Sequence, residues 1–312
     1  MKVLMCTDGE DFAEDAIRFG GRLAKAMNAD VSILHVRPPI SPRNRVQLTT
    51  ARKKLGEWNL EIPGVDSLIR AKEILTEIGL TKTAPLKEEK VSRAFRVDVH
   101  GATELHLIGL RGEMVRLRLR EGHPVNEILE EADFGDYDLV IIGSRGHKGY
   151  STHFVGSTAL RVSDLAACSV LIAKNIKAEN AFLLCTDGSR LAERAEIIGA
   201  EIAQKMGAKM TILSVAEEEN DKEEAMQLTR RADMILSQSG VNAEQKTRVG
   251  RPSEEIIDEA KDHDIVVMGA SGSSAVKKFF LGSTPLKVIE YGECPVLVIR
   301  EKRGKISLQG TN

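Results

Sequence analysis

One pattern is written twice in this chain, and it restricts the fold more than any other feature. Gly143-Ser-Arg-Gly146, a nine-residue spacer and Gly156-Ser157 are matched by Gly269-Ala-Ser-Gly272, a nine-residue spacer and Gly282-Ser283. Each copy follows an aspartate and four apolar residues, Asp138-LVII and Asp264-IVVM. Such a run reads as a buried strand feeding a glycine-rich turn. Glycine lets the backbone take positive φ and approach a ligand closely, and the free N–H groups ahead of a helix form a nest for an anion. A lone glycine turn is a weak signal, but two copies with the same spacer make both loops candidate phosphate sites and divide the chain into two related halves.

The rest of the chain repeats around these loops. Lys2-VLMCTDG and Ala181-FLLCTDG are strand patterns ending in Thr-Asp-Gly, with Asp8 and Asp187 separated by 179 residues. Amphipathic helices follow over 11–27 and 189–206, then strands at Asp30-VSILHV and Lys209-MTILSV, which make Val36 the counterpart of Val215. The offset between halves then falls from 179 to 161 at Arg70/Arg231, to 128 at Gly122/Gly250 and to 126 at Asp138/Asp264, so the first half carries 53 additional residues. These place one half at 1–175 with insertions at 37–69 and 80–121, the other at 181–300, a short linker near 175–180, and a tail at 301–312. The tail has little to bury and is expected to fray.

Without the insertions each half alternates strands and helices, an α/β pattern that predicts an open, mainly parallel sheet covered on both faces. Ligands in such sheets bind beyond the carboxyl ends of the strands, where the strand order reverses. The ends of the first and second strands and the glycine loop should meet there.

Composition excludes several classes. Hydrophobic residues make up 42% and charged residues 29% of the 312, as in a soluble globular protein, and no apolar run approaches the ~20 residues of a membrane helix. The chain opens directly on a strand pattern without a secretory signal, which predicts a cytoplasmic protein. A net charge of −2 gives no bias toward nucleic acid, and the four cysteines sit in or beside apolar strands as expected of buried thiols. The P-loop, GxGxxG, GxSxG and HExxH patterns are absent, so no standard enzyme constellation is visible.

Asp8 and Asp187 can cap the helices that follow, contact a ligand, or do both. Ser157 and Ser283 are expected N-caps, with Pro285 inside the helix start. Arg145, Lys148, Lys277 and Lys278 can neutralise phosphate or remain solvated. His35, His147 and His153 have no partner at metal-ligand spacing. Glu217 to Glu219 reads as a solvated acidic loop near a ligand mouth.

The Thr-Asp-Gly turns, the complete GxxGx9GS motifs, and the closing strands with CSVLIA at Cys168 and CPVLVI at Cys294 together resemble the universal stress protein family. The resemblance covers nearly everything except the added residues, and it implies two tandem domains of Rossmann-like, adenine-nucleotide hydrolase-like type. In that family the complete glycine motif marks the members that bind ATP. Carried over, the resemblance implies an aspartate contact at Asp8 and Asp187, an adenine-side contact at Val36 and Val215, and phosphate and ribose contacts at Gly143, Gly146, Gly156, Ser157, Gly269, Gly272, Gly282 and Ser283. Ser169 departs from the family's closing Cys-Pro, and Ala270-Ser271 differs from Ser144-Arg145, but neither change removes a backbone donor.

The function expected is that of an ATP-binding stress-response regulator, with or without Mg2+, whose nucleotide occupancy alters an unidentified protein partner or oligomer. Weak ATPase or phosphotransferase activity and an interaction scaffold with structural ATP are the alternatives. No catalytic residue is assigned, and metal ligands are left open. The apolar edges Val170-LIA and Val296-LVI are expected to join the halves as an internal pseudo-dimer, which leaves room for a further homodimer. The larger insertion is expected to form an antiparallel β extension from Arg93-AFRVDVH, Ala102-TELHLIGL and Val115-RLRLR, with an outward basic stripe of Arg116, Arg118 and Arg120. Valine at Gly156 or Gly282 is expected to forbid a positive φ and crowd the phosphate.

Overall fold

The computed structural model describes residues 1–39, 64–81, 96–97, 103–144, 155–177, 180–270 and 281–302. Apolar runs of four to eight residues become strands because both of their faces can be buried, and the twelve strands among the described residues join in one sheet. In the first half these are β1 (Lys2–Thr7), β2 (Asp30–Arg37), β3 (Arg96–Val97), β4 (Thr103–Ile108), β5 (Met114–Glu121), β6 (Leu139–Gly143) and β7 (Ser169–Ala173). The second half supplies β8 (Ala181–Cys185), β9 (Lys209–Ala216), β10 (Ala243–Val249), β11 (Ile265–Gly269) and β12 (Val296–Ile299). Their order is β10-β9-β8-β11-β12-β7-β6-β1-β2-β5-β4-β3.

The helices of the first half are α1 (Asp11–Ala26), α2 (Val65–Glu77), α3 (Pro124–Phe134) and α4 (Ser157–Leu165). Those of the second are α5 (Arg190–Met206), α6 (Lys222–Gln238), α7 (Pro252–Glu259) and α8 (Ser283–Tyr291). In α1 the buried residues Ala13, Ala16, Ile17, Leu23 and Ala24 recur at three- and four-residue spacing and so form one stripe. Alternation along β1 sends Val3 and Met5 into a core with α1, α2, α5 and α6 on one face of the sheet. Leu4 and Cys6 enter a second core with α3, α4, α7 and α8 on the other face. Both cores contain residues of both halves, so the hydrophobic interior is continuous across the molecule. All four cysteines are free and buried, and burial raises each thiol, Cys294 to about 11 and Cys168 to about 12.

The halves meet as the apolar edges require. β7 and β12 pair antiparallel, with Val170 opposite Val298, Leu171 opposite Leu297 and Ile172 opposite Val296. Two reciprocal bonds lock the seam. Lys174 Nζ donates to the Ile289 carbonyl at 2.5 Å, and Arg300 Nη2 donates to the Ser163 carbonyl at 2.5 Å. Both donors and both acceptors are 126 residues apart, so each half caps the C-terminal carbonyls of the other's last helix. At the head of the tail, Lys302 Nζ bonds the Asp136 carbonyl and Asp138 Oδ1, tying residue 302 back to the first half.

The β extension is present among the described residues, with β3 antiparallel to β4 and β4 antiparallel to β5. Two expectations need correction. β5 also pairs parallel with β2, as β10 pairs with β9, and so belongs to the repeated sheet rather than to the insertion. Nor is the arginine stripe solvated: Arg118 and Arg120 are buried under α3. Arg120 Nε lies 2.6 Å from Glu127, and Arg118 Nε lies 2.9 Å from Glu131. The second half repeats the arrangement, with Lys246 and Arg248 at 2.8 and 2.5 Å from Glu259.

Candidate functional site

Leaving aside the inserted β3 and β4, each half has its strands in the order third, second, first, fourth, fifth by position in its own half, so the order reverses between β1 and β6 and between β8 and β11. Met5 is in register with Ile141, so Thr7 and Gly143, each two residues further on, end side by side. Thr7 is also level with His35, which puts Val36, half-buried, at the rim of the same crevice. In the second half Leu184 is level with Val267, which brings Thr186 beside Gly269, and Val215 is likewise half-buried near the end of β9. Asp8, Val36, Gly143 and Gly156-Ser157 therefore surround one crevice, and Asp187, Val215, Gly269 and Gly282-Ser283 surround its counterpart. Gly146 and Gly272 lie outside the described residues, as do Arg145, His147, Lys148, His153, Lys277 and Lys278.

The Thr-Asp-Gly turn is held by its own side chains. Thr7 Oγ1 accepts the Gly9 N–H at 3.1 Å, and Asp8 Oδ1 accepts the Glu10 N–H at 3.1 Å. Thr186 and Asp187 do the same for Gly188 and Ser189 at 3.3 and 3.0 Å. Both aspartates thus close a tight turn before the helix, leaving the N-cap positions to Glu10 and Ser189, and both aspartates are exposed. The left-handed backbone lies in these turns, at Gly9 (φ 88°) and Gly188 (φ 70°).

The glycine loops close on themselves. Gly156 N–H donates to the Ser144 carbonyl at 2.7 Å, and Gly282 N–H donates to the Ala270 carbonyl at 2.6 Å. Gly156 (φ −64°, ψ 148°) and Gly282 (φ −62°, ψ 160°) are themselves the N-caps of α4 and α8, which puts Ser157 and Ser283 one residue inside the helix. This corrects the serine-cap expectation and removes the positive-φ argument at both glycines, because extended backbone suits any residue. Lacking a side chain, a glycine cap leaves the first N–H groups of each helix for another partner. Gly269 has a steric reason instead: a Cβ there would lie 2.7 Å from the backbone of Leu191 in α5.

Two neighbours were not assigned to the site from the sequence. The Ser144 side chain is buried at 1% exposure with no partner for Oγ, although it begins the first glycine loop. His35 lies beside Thr7 and Asp8, and burial holds its imidazole below the ordinary range, favouring the neutral form. The difference between Ser144 and Ala270 was visible in the sequence, but the burial of the hydroxyl was not. Among the described residues no group of three His, Cys, Asp or Glu could hold a metal ion unaided.

Comparison with known proteins supports the fold. The universal stress protein family profile matches residues 1–174 and again 180–300. The universal stress protein Slr1230 of Synechocystis is 24% identical over 305 residues, covering 96% of this chain and 99% of the relative. A universal stress protein of Thermus aquaticus is 35% identical over 132 residues, 38% of this chain and 96% of that relative. The crystal structure of a universal stress protein from Archaeoglobus fulgidus superposes with a TM-score of 0.60 at 19% identity, with 96% of both chains covered, and so shares the fold. No helix among the described residues is long and apolar enough to cross a membrane.

Proposed function

The chain belongs to the universal stress protein family, and from that premise we propose that it is an ATP-binding regulator whose nucleotide occupancy alters its interactions with a protein partner. The observation that carries the reading is the glycine N-cap of α4 at the strand-order reversal, beside the unpaired Ser144 hydroxyl. The helix offers Ser157, Thr158 and Ala159 N–H groups with no intrahelical acceptor, aligned with the positive end of its dipole. A phosphate chain satisfies them. In this reading Val36 gives the adenine-side backbone contact and Asp8 a carboxylate contact to the nucleotide. A bound triphosphate brings its own oxygens to Mg2+, so one carboxylate per site is sufficient as a protein ligand.

An aspartate at the cap position competes for the same donors without disturbing the helix, because Gly156 and Gly282 already have the extended backbone that a capping side chain uses. The double variant Gly156→Asp/Gly282→Asp should keep or raise its melting temperature yet lose ATP binding by at least about tenfold, roughly 1.4 kcal/mol. Titration calorimetry with ATP and Mg2+ reads the affinity. Undiminished affinity in the folded double variant would remove the loops from the site. Assay of released phosphate in the same samples separates binding from turnover.

A further inference from the structure

The two crevices repeat one design, but four differences among the described residues set them apart. The first is the supply of donors. The first three positions of α4 are Ser157, Thr158 and Ala159, whereas those of α8 are Ser283, Thr284 and Pro285. Proline has no N–H, so α8 presents two free donors where α4 presents three.

The second difference lies at the loop entrance. Ser144, buried at 1% with no partner for its hydroxyl, is replaced by Ala270, which is equally buried and has nothing to donate. An unpaired buried hydroxyl is costly, and a ligand oxygen that accepts from it recovers that cost. Among the described residues, only the first loop offers that gain.

The third difference is a charge delivered across the seam. Asp164, near the end of α4, accepts the Leu281 N–H with Oδ1 at 3.2 Å. Leu281 directly precedes the cap of α8, so a carboxylate from the first half already stands at the N-terminus of the second half's loop helix. It satisfies the local field and opposes a second anion. The equivalent pair would be Glu290 with Val155, 126 residues away in each case, and the described residues show no such bond. The exposed Glu217, Glu218 and Glu219 follow β9 where Pro38 and Pro39 follow β2, adding negative charge to the same mouth.

We infer that the sites are unequal: the first half holds the triphosphate, and the second binds adenine nucleotides at least tenfold more weakly. This rests on the nucleotide reading above. Titration calorimetry with ATP and Mg2+ should give about one tight equivalent per chain, abolished by Gly156→Asp. Ser144→Ala, which merely copies the second loop, should weaken the tight site several-fold without lowering the melting temperature of the ligand-free protein. Asp164→Asn combined with Pro285→Ala should strengthen the second site tenfold or more, raising the stoichiometry toward two. Two sites of matching affinity in the wild type, or full retention of tight binding in Gly156→Asp, would overturn the inequality while leaving nucleotide binding intact. A wild-type chain that binds no adenine nucleotide would instead fail the underlying reading, and this inference with it.

Discussion

Glu196 shows how much a single residue can differ between two halves of one design. It is fully buried beneath the Thr-Asp-Gly turn of the second half, where the first half has Ile17, also buried. Thr186 Oγ1 donates to its Oε1 at 2.6 Å, while Oε2 has no partner. Burial is the main cause that raises its pKa, so the folded protein holds this proton more tightly than the unfolded chain does. The stability it contributes is therefore present below the ordinary glutamate range and is lost as pH rises through the raised folded value. Glu196→Gln should flatten that decline, so that the variant gains on the wild type in urea-unfolding midpoints as pH rises above the ordinary glutamate range. Parallel pH profiles for the two proteins would show that Glu196 titrates normally.

At the scale of elements, the strand β5 and helix α3 are joined by charge as much as by apolar contact. Glu131, with a side chain 3% exposed, forms ion pairs with Arg118 at 2.9 Å and with Arg120 at 3.3 Å, and Arg120 also engages Glu127 and Glu130. Removing one partner of a buried pair leaves a desolvated charge, which costs more than the pair itself contributes. Arg120→Met should lower stability by about 2–3 kcal/mol, with Arg118 still compensating Glu131. The counterpart Arg248→Met should cost less, because that side chain is 31% exposed against 8% for Arg120. Guanidinium unfolding of the two single variants measures the difference, and equal losses would refute the burial argument. The signal for this network was present in the spacing: Arg118 and Arg120 alternate on a strand, and Glu127, Glu130 and Glu131 recur on a helix face. Periodicity alone could not say that the two faces meet.

For the whole molecule the seam decides whether two related halves behave as two domains or one. Leu171 and Leu297 are opposite one another and fully buried, and each hydrophobic core draws residues from both sides of their strands. A single cooperative transition is expected in calorimetry, since neither half can expose its β7 or β12 edge without uncovering apolar surface. Leu297→Asp places an unpaired carboxylate in that edge and should split the transition or lower its midpoint sharply. Two separate transitions in the wild type would show that the halves are independent.

The repeat, the alternation of strands and helices, the two cores and the seam strands were all legible in the sequence, because short-range periodicity and equal spacing survive without any knowledge of contacts. Asp138-LVII and Asp264-IVVM are buried strands wherever their sheets are placed, and Val170-LIA needs a partner whatever that partner is. The positions of Asp8, Val36, Gly143 and Ser157 around one crevice follow from the strand order that such alternation allows. What only the tertiary structure decided concerns pairs distant in the chain. Asp164 reaches Leu281 across 117 residues, and Arg300 reaches Ser163 across 137. β5 left the insertion for the repeated sheet because β2 supplies a parallel partner, and its arginines are buried because α3 folds back over them. A side chain's charge and period are local properties of the chain, whereas its burial and its partner depend on what the rest of the molecule brings to that point.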